Sequence, residues 1–249
     1  MFYFNNLKNI GKQAEEGDSW DMITIDGVVG VGKSTLMNTL VEDMGMVPFQ
    51  EPVVDNPILD KFYYDRARYS FSLQIFFLNE RFRHIKRASK IDNAVLDRSI
   101  YGDLIFAKML KDNGEMAVEE FDIYLDLFHN MIEHCQTPRL MVYLEVSPEE
   151  AMRRIAKRAR DYELATEPAY WVRLNEEYRE YFDQYSFSPV LKINVDNLDF
   201  ENHPEDKEYV LSLIKNELDN LTLVETLANA EAEVSADERS NFLTPALFW

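Results

Sequence analysis

The feature that most constrains this chain is a glycine-rich segment between a short apolar run and a helical pattern. Residues 27–34 have the sequence GVVGVGKS, which fits the phosphate-binding pattern GxxxxGK followed by Ser or Thr at every specified position. The apolar run covers residues 22–25, and apolar residues recur at helical spacing from 34 to 44. In a strand, loop and helix of this order, the loop amides and the helix N-terminus form a cradle for phosphate.

The motif predicts roles for individual residues of the loop. We expect Lys33 to reach the β- and γ-phosphates of a nucleotide and the Ser34 hydroxyl to ligate Mg²⁺. The alternative interpretation is a glycine-rich turn with a surface lysine. The predicted nucleotide-binding residues of this segment are Gly27, Val28, Val29, Gly30, Val31, Gly32, Lys33, Ser34 and Thr35.

The charge of the chain restricts its partners. With a net charge of −19 over 249 residues, most of the surface would repel the phosphates of a nucleic acid polymer, whereas a single nucleotide needs only a local basic pocket. No apolar run approaches the ~18 residues that span a membrane, and residues 1–5 lack the basic and apolar regions of a signal peptide. The single cysteine, Cys135, cannot form an internal disulfide. We therefore expect a cytoplasmic protein without a membrane partner.

The chain divides into three parts. Residues 1–20 hold a few aromatic residues and a polar stretch, and we interpret them as an N-terminal extension. Residues 21–220 are long enough for one α/β domain with its own core. Residues 221–249 form an acidic, alanine-rich C-terminal tail, and about half of the acidic excess lies after residue 195.

Short apolar runs alternate with longer helical patterns along the domain. Five such alternations predict a doubly wound parallel sheet flanked by helices. The expected strands are 22–25, 47–50, 94–96, 139–146 and 190–195, and the expected helices are 34–44, 57–65, 70–89, 100–112, 117–134, one that starts after Ser147, 167–184 and 205–219.

Charged residues follow the second and third predicted strands. Pro52 ends the second strand, so Glu51 should stand at its carboxyl end, the edge where ligands of open parallel sheets bind. Glu51 is therefore a candidate general base, with a solvated carboxylate as the alternative. After the third strand, Asp97 could help to hold Mg²⁺ and Arg98 could bridge donor phosphate and acceptor oxygen. A helix cap with a surface salt bridge is the alternative for that segment.

Two helical patterns carry further candidates. Gln74 and Arg81 are seven residues apart and project from one side of a helix, where they could line a pocket or be exposed. The helix after Ser147 has a basic face, which could meet phosphate or be solvated. Its basic residues are Arg153, Arg154, Lys157, Arg158 and Arg160.

Together, these segments resemble the deoxyribonucleoside kinase family over residues 22–195, nearest to the bacterial deoxyadenosine and deoxyguanosine kinases. The resemblance implies a P-loop kinase with a five-stranded parallel sheet and an arginine-rich lid. Glu51-Pro52-Val53 is similar to the family segment whose Glu acts as base on the sugar 5′-hydroxyl. Asp97 stands where many members have Glu, which leaves open a water-mediated contact with the metal.

The same resemblance implies further binding residues. Arg154, Arg158 and Arg160 match the lid arginines that hold ATP. The remaining matches concern the nucleoside: Tyr63 and Glu163 for the sugar 3′-hydroxyl, and Gln74, Arg81 and Asp103 for the base.

The implied activity is ATP-dependent and Mg²⁺-dependent phosphorylation of the 5′-hydroxyl of a purine deoxyribonucleoside in nucleotide salvage. Deoxyadenosine and deoxyguanosine are the expected substrates, deoxycytidine is left open, and thymidine is the least expected. The family also implies a homodimer through the helices near 100–134, with a heterodimer of paralogues as the alternative. Two other functions remain open: a nucleoside monophosphate kinase similar to thymidylate kinase, and a non-catalytic nucleotide-binding subunit.

Overall fold

Five parallel strands form one sheet at the centre of the protein. The computed structural model describes residues 22–51 and 56–242, with the backbone alone from residue 231. The predicted extension, 1–20, and residues 243–249 of the predicted tail lie outside that part of the chain. The strands are β1 (Ile23–Asp26), β2 (Val47–Phe49), β3 (Ala94–Asp97), β4 (Leu140–Glu145) and β5 (Val190–Asn194).

The strand order is β2-β3-β1-β4-β5, and all four pairings are parallel. Every residue of β1 and β3 is buried, as expected for central strands of a sheet covered by helices on both faces. The predicted doubly wound parallel sheet is therefore confirmed. Cys135 is buried in the core beside it, which agrees with a packing role.

Nine helices lie within the described ranges. Their bounds are α1 (Lys33–Met44), α2 (Leu59–Tyr64), α3 (Arg66–Ala88), α4 (Asp103–Asp112), α5 (Val118–Ile132), α6 (Pro148–Arg158), α7 (Asp161–Leu164), α8 (Pro168–Gln184) and α9 (Pro204–Phe242). Local signals explain several of their ends. The Ser147 side chain accepts a hydrogen bond of 3.3 Å from Glu150 N and so caps α6. Asp65 caps α3, which therefore begins four residues before its predicted start.

The predicted end of the last helix, near residue 219, is wrong, because α9 continues to Phe242. The segment 205–242 has neither Gly nor Pro and is rich in Ala, Leu and Glu, so no residue in it stops the helix. The Arg139 side chain donates 2.7 Å to Thr222 Oγ1 and pairs with Glu225, which ties α9 to the start of β4. The division between domain and tail at residue 220 stays a prediction. In residues 22–51 and 56–242, no helix has the length and apolar character needed to cross a membrane.

The strand register brings three chain segments to one edge of the sheet. Ile25 of β1 lies opposite Asp97 of β3, and Phe49 of β2 lies opposite Leu96. The residues that follow these strands, among them Glu51 and the glycine-rich loop, consequently meet at the carboxyl edge.

Candidate active site

A cleft of about 740 Å³ lies at the carboxyl edge of the sheet. It is lined by the glycine-rich loop, α3, α6 and the segment between β5 and α9. The predicted residues that line it are Val29, Gly30, Gly32, Lys33, Ser34, Thr35, Glu51, Tyr63, Gln74, Arg81, Asp97, Arg98, Asp103, Arg154, Arg158, Arg160 and Glu163. Val28 and Val31 are buried in the core, and Gly27 connects the loop to β1.

Gly27 and Gly32 are two of the positions at which the backbone of the loop requires glycine. Gly27 has φ +147°, and a Cβ atom there would lie 2.6 Å from the carbonyl oxygen of Leu144. Gly32 has φ +111°, and its Cβ would lie 2.8 Å from Cζ of Phe200. These positions are thus explained by close approach of the loop to β4 and to the β5–α9 segment.

Lys33 folds back onto the loop that precedes it. Its Nζ donates 2.9 Å hydrogen bonds to the carbonyl oxygens of Gly27 and Val28. Burial lowers the pKa of Lys33 to about 7, and the neighbouring Arg98 guanidinium acts in the same direction. A phosphate group at this position would favour the charged ammonium group. The alternative of a surface lysine is therefore wrong, because Lys33 is buried.

Ser34 and Asp97 form an oxygen-rich corner beside Lys33. Ser34 Oγ donates 2.9 Å to Asp97 Oδ2. Asp97 Oδ1 is buried and has no hydrogen-bond partner among the described residues. Burial raises the pKa of this carboxyl group, although Lys33 acts in the opposite direction. A hydroxyl and a carboxylate with a spare oxygen are ligands that suit Mg²⁺, which usually keeps several of its waters.

Glu51 lies between two buried arginines. Arg81 Nη2 donates 2.9 Å to Glu51 Oε1, and Arg98 Nε lies 2.8 Å from the same oxygen as an ion pair without hydrogen-bond alignment. Burial by itself would raise the pKa of Glu51, but Arg98 and Arg81 outweigh it and hold the pKa at about 2. The carboxylate is therefore ionised at neutral pH, and it lines the cleft. Because it forms ion pairs with two buried arginines, the alternative of a freely solvated carboxylate is wrong.

Arg98 connects Glu51 to the glycine-rich loop. Its Nη1 donates 3.2 Å to Gly27 O and 2.6 Å to the hydroxyl of Tyr178, and its Cζ lies 5.2 Å from the centroid of the Phe106 ring. The residue has φ +74°, a conformation that is strained for arginine. Its burial excludes the alternative of a surface salt bridge.

The far end of the cleft holds a buried ion pair. Arg81 Nε donates 2.7 Å to Asp103 Oδ1, while Asp103 Oδ2 is buried without a hydrogen-bond partner in the described part of the chain. Burial raises the pKa of Asp103 to about 6 even though Arg81 opposes the shift. Gln74 and Arg81 both face the cleft and are buried, because α4 packs over this side of α3.

The three arginines predicted for the lid fall into two groups, and Arg160 lies beyond α6, which ends at Arg158 instead of continuing through Arg160 as predicted. Arg158 donates 2.6 Å and 3.2 Å hydrogen bonds to the buried carboxylate of Glu163, and Arg160 Nη1 lies 3.6 Å from it. Arg154 instead donates 3.0 Å to Val31 O and 3.2 Å to Leu198 O. Its guanidinium thus holds the phosphate-binding loop against the segment after β5.

Sequence reasoning missed several residues of the site. Asp26, fully buried at the end of β1, accepts 2.8 Å from Gly27 N and 3.0 Å from Ser99 N, and so joins the loops after β1 and β3. Its position directly before the motif could have indicated it. No sequence pattern indicated that Phe106 and Phe200 belong to the site, because an aromatic residue in a helical or loop pattern is typical of core packing.

A sequence profile of the family described as deoxynucleoside kinase matches residues 23–219. The chain is 42% identical to the deoxyguanosine kinase of Lactobacillus johnsonii over 202 residues, which cover 78% of this chain and 90% of that one. It is 39% identical to the deoxyadenosine/deoxycytidine kinase of Bacillus subtilis over 197 residues, 78% of this chain and 91% of that one. The solved structure of deoxyadenosine kinase from M. mycoides with the products dCMP and dCDP is similar with a TM-score of 0.70 and 32% identity, covering 80% of this chain and 99% of that one.

Proposed function

The chain belongs to the deoxynucleoside kinase family, and on this premise we propose that it transfers the γ-phosphoryl group of ATP to the 5′-hydroxyl of a purine deoxyribonucleoside. The resemblance inferred from the sequence is confirmed, as is the assignment of the chain as a kinase. Relatives named as deoxyguanosine and deoxyadenosine kinases support the purine substrates. The Bacillus subtilis relative, which is also named for deoxycytidine, keeps that nucleoside as a third candidate.

The position of Glu51 is the observation that carries this proposal. Its ionised carboxylate lines the same cleft as Lys33, the cation of the phosphate-binding loop. Arg98 contacts both Glu51 and the loop carbonyl of Gly27, so it lies between the two. This arrangement suits an uncharged hydroxyl that approaches the carboxylate while a phosphate group is held by cations opposite.

The mechanism follows from the roles of these groups. The loop amides and Lys33 bind the phosphates of ATP, and Glu51 accepts the proton of the 5′-hydroxyl. With a pKa of about 2, Glu51 is a weak base, so its proton transfer belongs late in a loose transition state, when the attacking oxygen has become acidic. Arg98 stabilises the charge on the transferring group. Ser34 and Asp97 would hold Mg²⁺, which neutralises charge on the β- and γ-phosphates when it is bound.

The remaining cleft residues orient the nucleoside. Tyr63 and Glu163 are proposed to bind the 3′-hydroxyl, and Gln74 with the Arg81–Asp103 pair is proposed to read the base edge. Because Arg158 donates to Glu163, closure of the arginine-rich lid over ATP would be linked to occupancy of the sugar site. Lid closure also excludes water, which competes as an acceptor.

Charge balance argues against a monophosphate acceptor. A nucleoside monophosphate is a dianion and needs unpaired cations at the acceptor site. Arg81 is paired with both Glu51 and Asp103, and Arg98 is paired with Glu51. A non-catalytic subunit is disfavoured because the loop lysine, the base and the bridging arginine converge on one cleft.

A substrate panel tests the proposal. The four deoxynucleosides and thymidine monophosphate are each supplied with ATP and Mg²⁺, and kcat/KM is measured for each. We expect deoxyadenosine or deoxyguanosine to give the highest value and thymidine the lowest. Turnover of the monophosphate alone would reverse the assignment of the acceptor.

A cytoplasmic location and a homodimer through α4 and α5 are further parts of this proposal. Ile123 of α5 is an apolar side chain that is 59% exposed, which supports a contact along this helix. An Ile123→Glu variant should elute as a monomer on size-exclusion chromatography if the dimer exists, and unchanged elution of a dimer would contradict this interface.

A further inference from the structure

Arg66, the first residue of α3, lines the cleft but has no part in the chemistry described above. Its Cζ lies 5.4 Å from the centroid of the Phe62 ring, 6.0 Å from that of Tyr63 and 5.7 Å from that of Tyr170. All three distances are within the range of a cation–π contact. One guanidinium therefore contacts aromatic residues of two helices, α2 and α8.

An ion pair adds a third attachment. Arg66 Nη1 lies 3.6 Å from Glu115 Oε1, in the connection between α4 and α5. The second oxygen of Glu115 is buried and lacks a hydrogen-bond partner within residues 22–51 and 56–242. Loss of Arg66 would leave this partly buried carboxylate without its cation, so the contact holds Arg66 in place between the rings.

The helix that Arg66 contacts is a short one. α2 has six residues, fewer than an isolated helix needs for stability in water, so packing must hold it in position. Tyr63 belongs to α2, and its side chain is 37% exposed at the cleft. Phe62 is buried, and its ring contacts that of Tyr63 at 5.4 Å. Arg66 lies against both rings and is thus a direct determinant of where Tyr63 stands.

We propose that Arg66 is a positioning residue that clamps α2 against α8 and so fixes Tyr63 for its contact with the 3′-hydroxyl of the nucleoside. This role rests on the proposed function. A lysine could not replace it fully, because only the planar guanidinium can lie against several rings while it pairs with Glu115.

A double-mutant cycle separates positioning from a general effect on stability. Arg66→Met, Tyr63→Phe and the double variant are assayed with deoxyadenosine or deoxyguanosine, whichever the wild type uses better, and with its 2′,3′-dideoxy analogue. We expect Arg66→Met to raise the KM for the deoxynucleoside about tenfold, with kcat and the KM for ATP changed less than twofold. In the Tyr63→Phe background, and with the dideoxy analogue, the additional effect of Arg66→Met should disappear.

Two further variants complete the test. Arg68→Met changes an exposed arginine of the same helix, whose Cζ lies 5.4 Å from the Tyr69 ring, and should leave every parameter unchanged. If Arg66→Met does not fold, Arg66→Lys retains the charge and should show a smaller rise in the same KM.

The outcomes are distinct. Additive effects in the cycle, or an equal loss with the dideoxy analogue, would overturn the positioning role while the kinase assignment stands. Absence of turnover by the wild type with any deoxynucleoside would overturn the proposed function, and this role with it.

Discussion

The Ser34 hydroxyl donates a 2.9 Å hydrogen bond to Asp97 Oδ2 and thereby joins the first turn of α1 to the end of β3. The other carboxylate oxygen of Asp97 is buried and lacks a hydrogen-bond partner among residues that the structure describes. Burying a polar atom in this way is costly, and a metal ion with its waters would relieve the cost. This pair therefore leads to a prediction about magnesium.

An Asp97→Asn variant should need more Mg²⁺ for activity. Asparagine keeps the shape of the side chain but removes the charge that attracts the cation or its bound water. If the contact is through water, the Mg²⁺ concentration for half-maximal activity should rise about 10- to 100-fold. The exposed Asp92→Asn is the matched control and should titrate as the wild type does. An unchanged magnesium titration for Asp97→Asn would remove Asp97 from the metal site.

A Glu51→Gln variant should lose about 10² to 10⁴ in kcat, because the amide cannot accept the proton of the hydroxyl. Steady-state assays with saturating ATP and nucleoside measure this loss, with the exposed Glu119→Gln as control. Since the pKa of Glu51 is about 2, its titration should cause no fall in wild-type activity between about pH 5 and 8. A kcat within twofold of the wild type would refute the role of Glu51 as base.

The low pKa of Glu51 also affects stability. A carboxyl group whose pKa is lower in the folded state stabilises that state above the unfolded pKa, and this contribution is lost as the pH falls towards about 2. In Glu51→Gln, the loss of unfolding free energy at acidic pH should accordingly be shallower than in the wild type. Urea denaturation at several pH values checks this difference.

Lys33 should take up a proton when a nucleotide binds. Its pKa of about 7 in the unliganded protein leaves about half of the ammonium groups deprotonated at pH 7, and the phosphates favour the charged form. Isothermal titration calorimetry of ATP binding in buffers of different ionisation enthalpy measures the uptake, expected to be about half a proton at pH 7. A Lys33→Arg variant, which stays charged, corrects for protonation of the nucleotide. Equal proton uptake by the wild type and by Lys33→Arg would show that the proton does not go to Lys33.

Recognition of the nucleoside should weaken below about pH 6, because Asp103, with a pKa of about 6, then loses the charge that pairs with Arg81. The KM for the deoxynucleoside should rise as the pH falls from 7 to 5, while the KM for ATP should not follow that curve. In Asp103→Asn, the KM at pH 7 should already be high and should show no inflection near pH 6. If the KM of Asp103→Asn for the deoxynucleoside still changed near pH 6, the pH dependence would belong to another ionisable group.

Local patterns in the sequence were sufficient for much of this protein. The loop motif requires glycines and a lysine at set spacings because the backbone must turn tightly around phosphate, so Lys33 and Ser34 could be assigned directly. The alternation of short apolar runs with helical patterns was sufficient to predict a parallel sheet flanked by helices. A short run of apolar residues indicates a buried strand without information from other parts of the chain. Pro52 located the end of a strand and with it Glu51. The start of α6 directly after Ser147 followed from capping chemistry.

Only the tertiary structure decided which charges pair. Glu51 could have been solvated, but strand order brings Arg98 beside it and α3 adds Arg81, so its pKa falls instead of rising. Arg154, on the basic face of α6, binds backbone carbonyls of other segments, whereas Arg158 reaches Glu163. The energy of an ion pair depends on the distance between the two charges and on how deeply they are buried. Both quantities are set by contacts between segments far apart in the chain, so the spacing of residues along the sequence does not give them.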